Sequence, residues 1–154
     1  MNVYVDADAC PVKELIYRAA ARLGLALTVV ANGPLSVPPG VTLIRVGSAP
    51  DAADDWIAER VTPGDLVITA DIPLAARSLT AGGRCLDFRG GEFTTDRIGD
   101  ALAMRDLNRY LRDLGGTDSL GGPSAFTPRD RARFASRLDA TLTQLARQPR
   151  TNSL

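Results

Sequence analysis

The sequence predicts an α/β protein on a parallel sheet, and three observations carry that prediction. Short apolar runs alternate with segments whose apolar residues recur at helical spacing. Two of those runs, Val3-Tyr-Val5 and Leu66-Val-Ile-Thr-Ala70, lead into aspartates and then into a proline-led helical pattern. If these two strands are neighbours, their acids share the carboxyl edge of the sheet, where open α/β sheets bind ligands.

The elements follow in order. Pro11 is placed at the first position of a helix over residues 12–23, with Val12, Leu15, Ile16, Ala19, Ala20 and Leu23 on its apolar face and Gly24 stopping it. Ala26 to Ala31 is a buried strand, 32–40 a proline- and glycine-rich loop, and Val41 to Val46 a third strand. Ser48 and Asp51 have capping-box spacing and open a helix carrying Asp54, Asp55, Trp56, Ile57 and Val61. Thr62 to Asp65 is a turn before the second acid-tipped strand, and residues 72–81 form a short helix ended by Gly82-Gly83. Arg84 to Phe88 reads as the last strand, with Asp87 a further candidate acid, and 89–95 as a loop. A long helix over 95–114 is expected to bury Ile98, Leu102, Leu107, Leu111 and Leu114, with Arg105 on the same face as Ile98. Gly115 to Ala125 reads as a mobile connection, and Thr127-Pro-Arg-Asp130 as a capping box. The helix after it has Phe134, Leu138, Leu142 and Leu145 as its apolar stripe. Residues 148–154 read as a frayed tail, leaving one domain over 1–147.

Composition narrows the chemistry. The 154 residues contain no histidine, which removes Ser-His-Asp and Cys-His catalysis and most zinc chemistry. Cys10 and Cys85 have neither disulfide-framework nor zinc-site spacing. No long apolar span or leader pattern occurs, so a cytoplasmic protein without membrane attachment is expected. Neither G-x-G-x-x-G nor a P-loop is present, and no dinucleotide or haem is expected. Residues 1–104 hold 13 acids and 9 bases, residues 105–154 hold 5 acids and 9 bases. An acidic front with a basic rear could hold a metal and steer a polyanion to it, or be two solvated surfaces.

The candidate residues follow from that exclusion, since catalysis without histidine must run on carboxylates. Asp6 and Asp8, two apart where strand gives way to helix, suit hard Mg²⁺ or Mn²⁺; alternatively Asp8 caps the helix and Asp6 sits in a turn. Asp54 shares the inward face of Ile57, Ala58 and Val61, where an acid needs a partner or a metal; Asp55 is its neighbour on the helix. Asp71 is an N-cap or a further metal ligand, and Thr69 orients Asp71, a metal-bound water or a substrate phosphate. Lys13 and Arg131 are candidates for holding substrate phosphates, with a salt bridge to a core-edge acid as the alternative for Arg131.

Taken together, Asp6-Ala-Asp-Ala-Cys-Pro-Val-Lys13, Ala53-Asp-Asp-Trp-Ile57, Thr69-Ala-Asp-Ile-Pro-Leu-Ala75 and Arg89-Gly90 resemble the YaiI/YqxD family of bacterial proteins. Gly122-Pro123, Phe126 and Asp130-Arg131-x-x-Phe134 extend the likeness, which runs from about residue 2 to 142. The chain departs from the pattern at Arg97, where the resemblance leads one to expect asparagine. What the resemblance implies is a PIN-like fold, a mostly parallel central sheet between helices in three α/β/α layers, with acids clustered at its carboxyl edge. PIN-like nucleases use such clusters to bind Mg²⁺ or Mn²⁺ and cleave RNA or DNA. By that likeness Asp6, Asp54 or Asp55, and Asp71 match the general acid pattern, and Asp8 is the extra acid of this family.

The leading expectation is therefore a metal-dependent nuclease, with Asp6, Asp8, Asp54 and Asp71 holding one or two ions. Two competitors stand beside it. One is a haloacid-dehalogenase-like phosphatase using an aspartyl nucleophile from Asp6-Ala-Asp8. The other is a non-catalytic module that keeps a structural metal and binds nucleic acid or protein through its basic C-terminal helices.

Overall fold

The computed structural model describes residues 1–114 and 125–147. The strands are β1 (Asn2–Asp6), β2 (Ala26–Ala31), β3 (Thr42–Arg45), β4 (Leu66–Ile68) and β5 (Arg84–Leu86). The helices are α1 (Lys13–Leu23), α2 (Ala52–Ala58), α3 (Ile72–Thr80), α4 (Thr95–Asp113) and α5 (Pro128–Arg147). All five strands are parallel, in the order β3-β2-β1-β4-β5, so the expected sheet is present and β1 and β4 are neighbours.

Two apolar layers enclose the sheet and make three layers in all. Val3, Val5, Leu27, Val29, Leu66, Ile68 and Leu86 pack on one face with Ile16 of α1 and Phe134, Leu138 and Leu142 of α5. Tyr4, Val30, Val67 and Cys85 pack on the other with Ile57 of α2, Leu74 of α3 and Ile98 of α4. Side chains alternate between faces along a strand, and here both faces are covered, so each strand reads as an unbroken apolar run.

The topology places a crevice where it matters. From β1 the chain winds outward through β2 and β3, then returns over the opposite face through α2 to β4 on the far side of β1. The strand order thus reverses between β1 and β4, and the crevice at such a switch point is the usual ligand site of open α/β sheets.

Local signals explain most boundaries. Gly24 ends α1 in the left-handed region, φ 65°, its N–H bonded to the Ala20 carbonyl. Thr127 and Asp130 form the expected capping box, each backbone N–H bonded to the other's side chain at 3.0 and 3.1 Å. Gly90, φ 86°, lets the loop after β5 lie against α5, where an added Cβ would stand 2.8 Å from the Arg133 backbone. Asp65, expected only in a turn, is buried and accepts bonds from Asn2 N and from Thr62 N and Oγ1, pinning the start of β1 to the turn before β4.

Several expectations are corrected. Pro11 precedes α1, which starts at Lys13 with Val12 in the capping position. Ser48 does not cap α2; Asp51 holds that position and makes no side-chain cap bond. Of the leucines expected to bury α4, Leu107 and Leu114 are exposed, because at about 100° per residue they fall on the side of the helix opposite Ile98. Arg105, on the same face as Ile98, is exposed as well. The expected mobile connection, apart from Ala125, and the frayed tail lie outside the described residues, as does Gly122-Pro123.

Candidate functional site

The register of β1 against β4 assembles the site. Val5 pairs with Ile68, so Asp6 and Thr69 follow one step beyond, both on the face of the sheet that α2 and α3 cover. Thr69, fully buried, donates its hydroxyl to Asp6 Oδ2 at 2.9 Å. The same oxygen accepts the backbone N–H of Asp71 at 3.0 Å. One hydroxyl therefore ties the acid ending β1 to the turn carrying the acid after β4. Asp71 caps α3, accepting the Leu74 N–H at 2.8 Å, so its cap role is real and fixes where its carboxylate stands.

Asp54 arrives from α2. Ile57, fully buried, anchors that helix, and Asp54 three residues earlier is turned in the same sense and half-buried. Its carboxyl is pushed up to about 7, first by burial and then by the negative charges of Asp71 and Asp6, with a side-chain contact to Asp71 and a further contribution from Asp51. Asp6 is also raised, first by burial; the Thr69 hydroxyl works against this, while Asp8 and Asp71 add to it. Three acids from β1, α2 and the α3 cap thus feel one another's charge, which two isolated caps and a solvated helix face would not produce.

Asp8 lies on the exposed turn after β1, where the Cys10 N–H reaches the Ala7 carbonyl at 3.2 Å. The turn holds Ala9 at φ 61°, a left-handed conformation that residues other than glycine rarely adopt. Beside it opens a cleft of about 190 Å³ whose lining includes Asp8, Lys13, Ala31, Gly33, Pro34 and Leu35. Its loop wall was not legible as functional in the sequence; the only signal was a proline-glycine loop following a strand.

The other candidates divide. Asp55 points away from the cluster onto an exposed ion pair with Arg77 at 2.6 Å. Asp87 is engaged by Arg97 at 2.5 Å and by the N–H groups of Arg89 and Gly91, which makes it an organiser of the loop after β5. Arg97, where asparagine was expected, supplies that partner. The salt bridge weighed for Arg131 is absent: Asp130 pairs with Arg89 at 2.8 Å, and among the described residues neither Arg131 nor Lys13 has an ion-pair partner. Both are half-buried in the first turns of their helices.

Among the described residues, no group of three or more acidic or cysteine side chains stands close enough to hold a metal ion as placed. By donor type alone, the acids that approach one another suit a hard cation. All the groups are carboxylate oxygens, and Asp54, Asp71 and Asp6 repel one another in a half-buried site that positive charge would relieve. Both cysteine thiols are free and buried, and neither belongs to such a set.

Fold and site together define the class: a doubly wound, all-parallel α/β/α protein with interacting carboxylates at its switch point. The chain belongs to the YaiI/YqxD family, whose model, described as "Uncharacterized BCR, YaiI/YqxD family", matches residues 4–144. Among its relatives is a UPF0178 protein of Rhodopseudomonas palustris strain HaA2, 52% identical over 149 residues, covering 96% of this chain and 90% of the relative. A UPF0178 protein of Caulobacter strain K31 is 51% identical, covering 94% and 96%, and one from Rhodospirillum rubrum is 48% identical, covering 96% and 99%. No solved structure matches the chain. No described helix is long and apolar enough to cross a membrane.

Proposed function

We propose that this protein is a Mg²⁺- or Mn²⁺-dependent phosphodiesterase that hydrolyses the backbone of RNA or DNA in the PIN-like manner. The observation that carries the reading is the mutual electrostatic coupling of Asp6, Asp54 and Asp71 across the β1–β4 switch point. Asp6, Asp54 and Asp71 would hold the cation, and Asp8, whose side chain has no hydrogen bond among the described residues, is free to turn toward it. Once bound, such a cation polarises the phosphate and makes an attacking water more acidic.

The chain's own residues divide the remaining work. Thr69 holds Asp6 in one orientation and keeps the Asp71 turn closed upon it. Asp54, raised to about 7 without a cation, changes protonation near neutral pH and must give up that proton to serve as a ligand, so cation binding would be coupled to proton release there. Lys13 and Arg131, without ion-pair partners among the described residues, would hold substrate phosphates. Asp55, committed to Arg77, serves only to place α2.

The test is Mn²⁺-dependent cleavage of end-labelled single-stranded RNA and DNA by wild type and Asp71→Asn purified in parallel. Asparagine also caps helices, so this variant keeps α3 while losing the charge. Wild type is expected to cleave, and Asp71→Asn to lose about 100-fold or more, since even outer partners of a metal site act on that scale. Equal rates in the two preparations would sink the assignment. A phosphoryl group trapped on Asp6 or Asp8 would replace it with the phosphatase reading, because metal-activated water forms no covalent intermediate.

A further inference from the structure

The outer flank of α5 supports an inference that stands whether or not the acids cleave. The helix turns its apolar stripe, Phe134, Leu138, Leu142 and Leu145, onto the sheet. Arg129, Arg133, Arg137 and Arg147 are all exposed, and at about 100° per residue they fall within an arc of about 80° on the helix surface. The first three follow at intervals of four, and like charges four apart repel one another and destabilise a helix. Solvated helix faces offset such a row with acids of alternating sign, and none stands in this arc. The two acids of α5 lie outside it: Asp139 pairs with Arg22 of α1, and Asp130, at its border, pairs with Arg89. None of the four arginines makes an ion pair among the described residues.

Two contacts orient the row. Gly90, in the loop after β5, lies against the Arg133 backbone, while Gln144 accepts a hydrogen bond at 2.8 Å from Arg84, where β5 starts. The helix therefore runs along β5, the edge strand, from the carboxyl edge that holds the acids to the amino edge. From Arg129 to Arg147 the row spans about 27 Å. Guanidinium groups match phosphate oxygens, and a row of one sign fits a polymer that carries a charge at every step. No large apolar or aromatic side chain stands in the arc, so the flank lacks what membrane insertion or the core of a protein interface requires. We propose that this arginine flank of α5 binds the phosphate backbone of a nucleic acid.

Binding of a fluorescein-labelled DNA duplex of about 20 base pairs, longer than the row, and of one of its single strands tests the proposal. A chelator in the buffer keeps metal-dependent cleavage out of the measurement. Wild type should bind, with log affinity falling against log salt at a slope of about −3. Arg133→Gln with Arg137→Gln should weaken binding about tenfold or more and make the slope shallower by about 1.5 to 2. Its melting temperature should not fall, since two exposed like charges are removed. Arg105→Gln with Arg109→Gln removes the same charge from exposed positions on α4, in the other layer, and should bind as wild type does. A wild type that binds neither form, or equal losses in the two double variants, overturns the proposal. So does tighter binding to vesicles of equal parts phosphatidylcholine and phosphatidylserine than to either nucleic acid.

Discussion

Thr69 shows how one small side chain can organise a charged site. Its hydroxyl donates to Asp6 and accepts from the Asp71 N–H, so valine of the same shape would take one partner from Asp6 and leave the Asp71 N–H without this one. Thr69→Val should cost about 1–3 kcal/mol of stability and weaken Mn²⁺ binding about 10- to 100-fold. Thr69→Ser should recover most of both, as read by thermal melts and Mn²⁺ titration; unchanged Mn²⁺ affinity in the valine variant would reduce Thr69 to packing. Asp54 carries the pH dependence. Its carboxyl stands at about 7 in the fold, raised chiefly by burial and then by Asp71 and Asp6. In the unfolded chain it titrates near 4, as an ordinary aspartate does. Between those values the folded protein holds a proton that the unfolded chain has released, so stability falls as pH rises from about 4 to about 7. Denaturant titrations in a chelator should show that fall, and Asp54→Asn should flatten it. A wild type and variant with parallel pH curves would remove Asp54 from the coupled cluster.

The turn between β1 and α1 pairs strain with function. Ala9 sits at φ 61° between Asp8 and Cys10, in a conformation costing an alanine about 1–2 kcal/mol. Such strain persists when surrounding structure over-determines it, and here Ala7 and Cys10 on either side are buried. Ala9→Gly relieves the strain but frees the unfolded chain, for a net stabilisation of about 0.5–1 kcal/mol, a rise of roughly 2–4 °C in melting temperature. A lowered melting temperature would show that the turn is not under strain. The capping elements teach a related lesson. Thr127 and Asp130 were readable because both halves of a capping box lie within four residues. Ser48 and Asp51 have the same spacing, yet α2 starts one residue beyond them, because spacing alone does not determine which residue turns helical.

Phe134 ties the last helix to the whole fold. It is fully buried beneath α5, in the layer with Val5, Ile68 and Leu86, beside the Gly90 loop that lies against the α5 backbone. Phe134→Ala should therefore cost about 3–5 kcal/mol and lower the melting temperature by roughly 10 °C or more. A loss under about 1 kcal/mol would mean that α5 is not needed to close that layer. The same molecule-wide view explains the failed expectation for α4. Its leucine spacing is helical throughout, but among the described residues only Ile98 and Leu102 of that series pack into a core cluster.

The sequence by itself determined the alternation of strands and helices, the parallel sheet, and the pair of acid-tipped strands, because local periodicity and caps carry that information. It also pointed Asp54 inward, through the company that residue keeps on its helix face. Only the tertiary structure decided that β1 and β4 are neighbours, that Asp55 belongs to Arg77 and Asp87 to Arg97, and that half of α4 is bare. Strand order, ion-pair choice and burial depend on contacts between residues far apart in the chain, and no periodicity within a single segment records which distant surface it will meet.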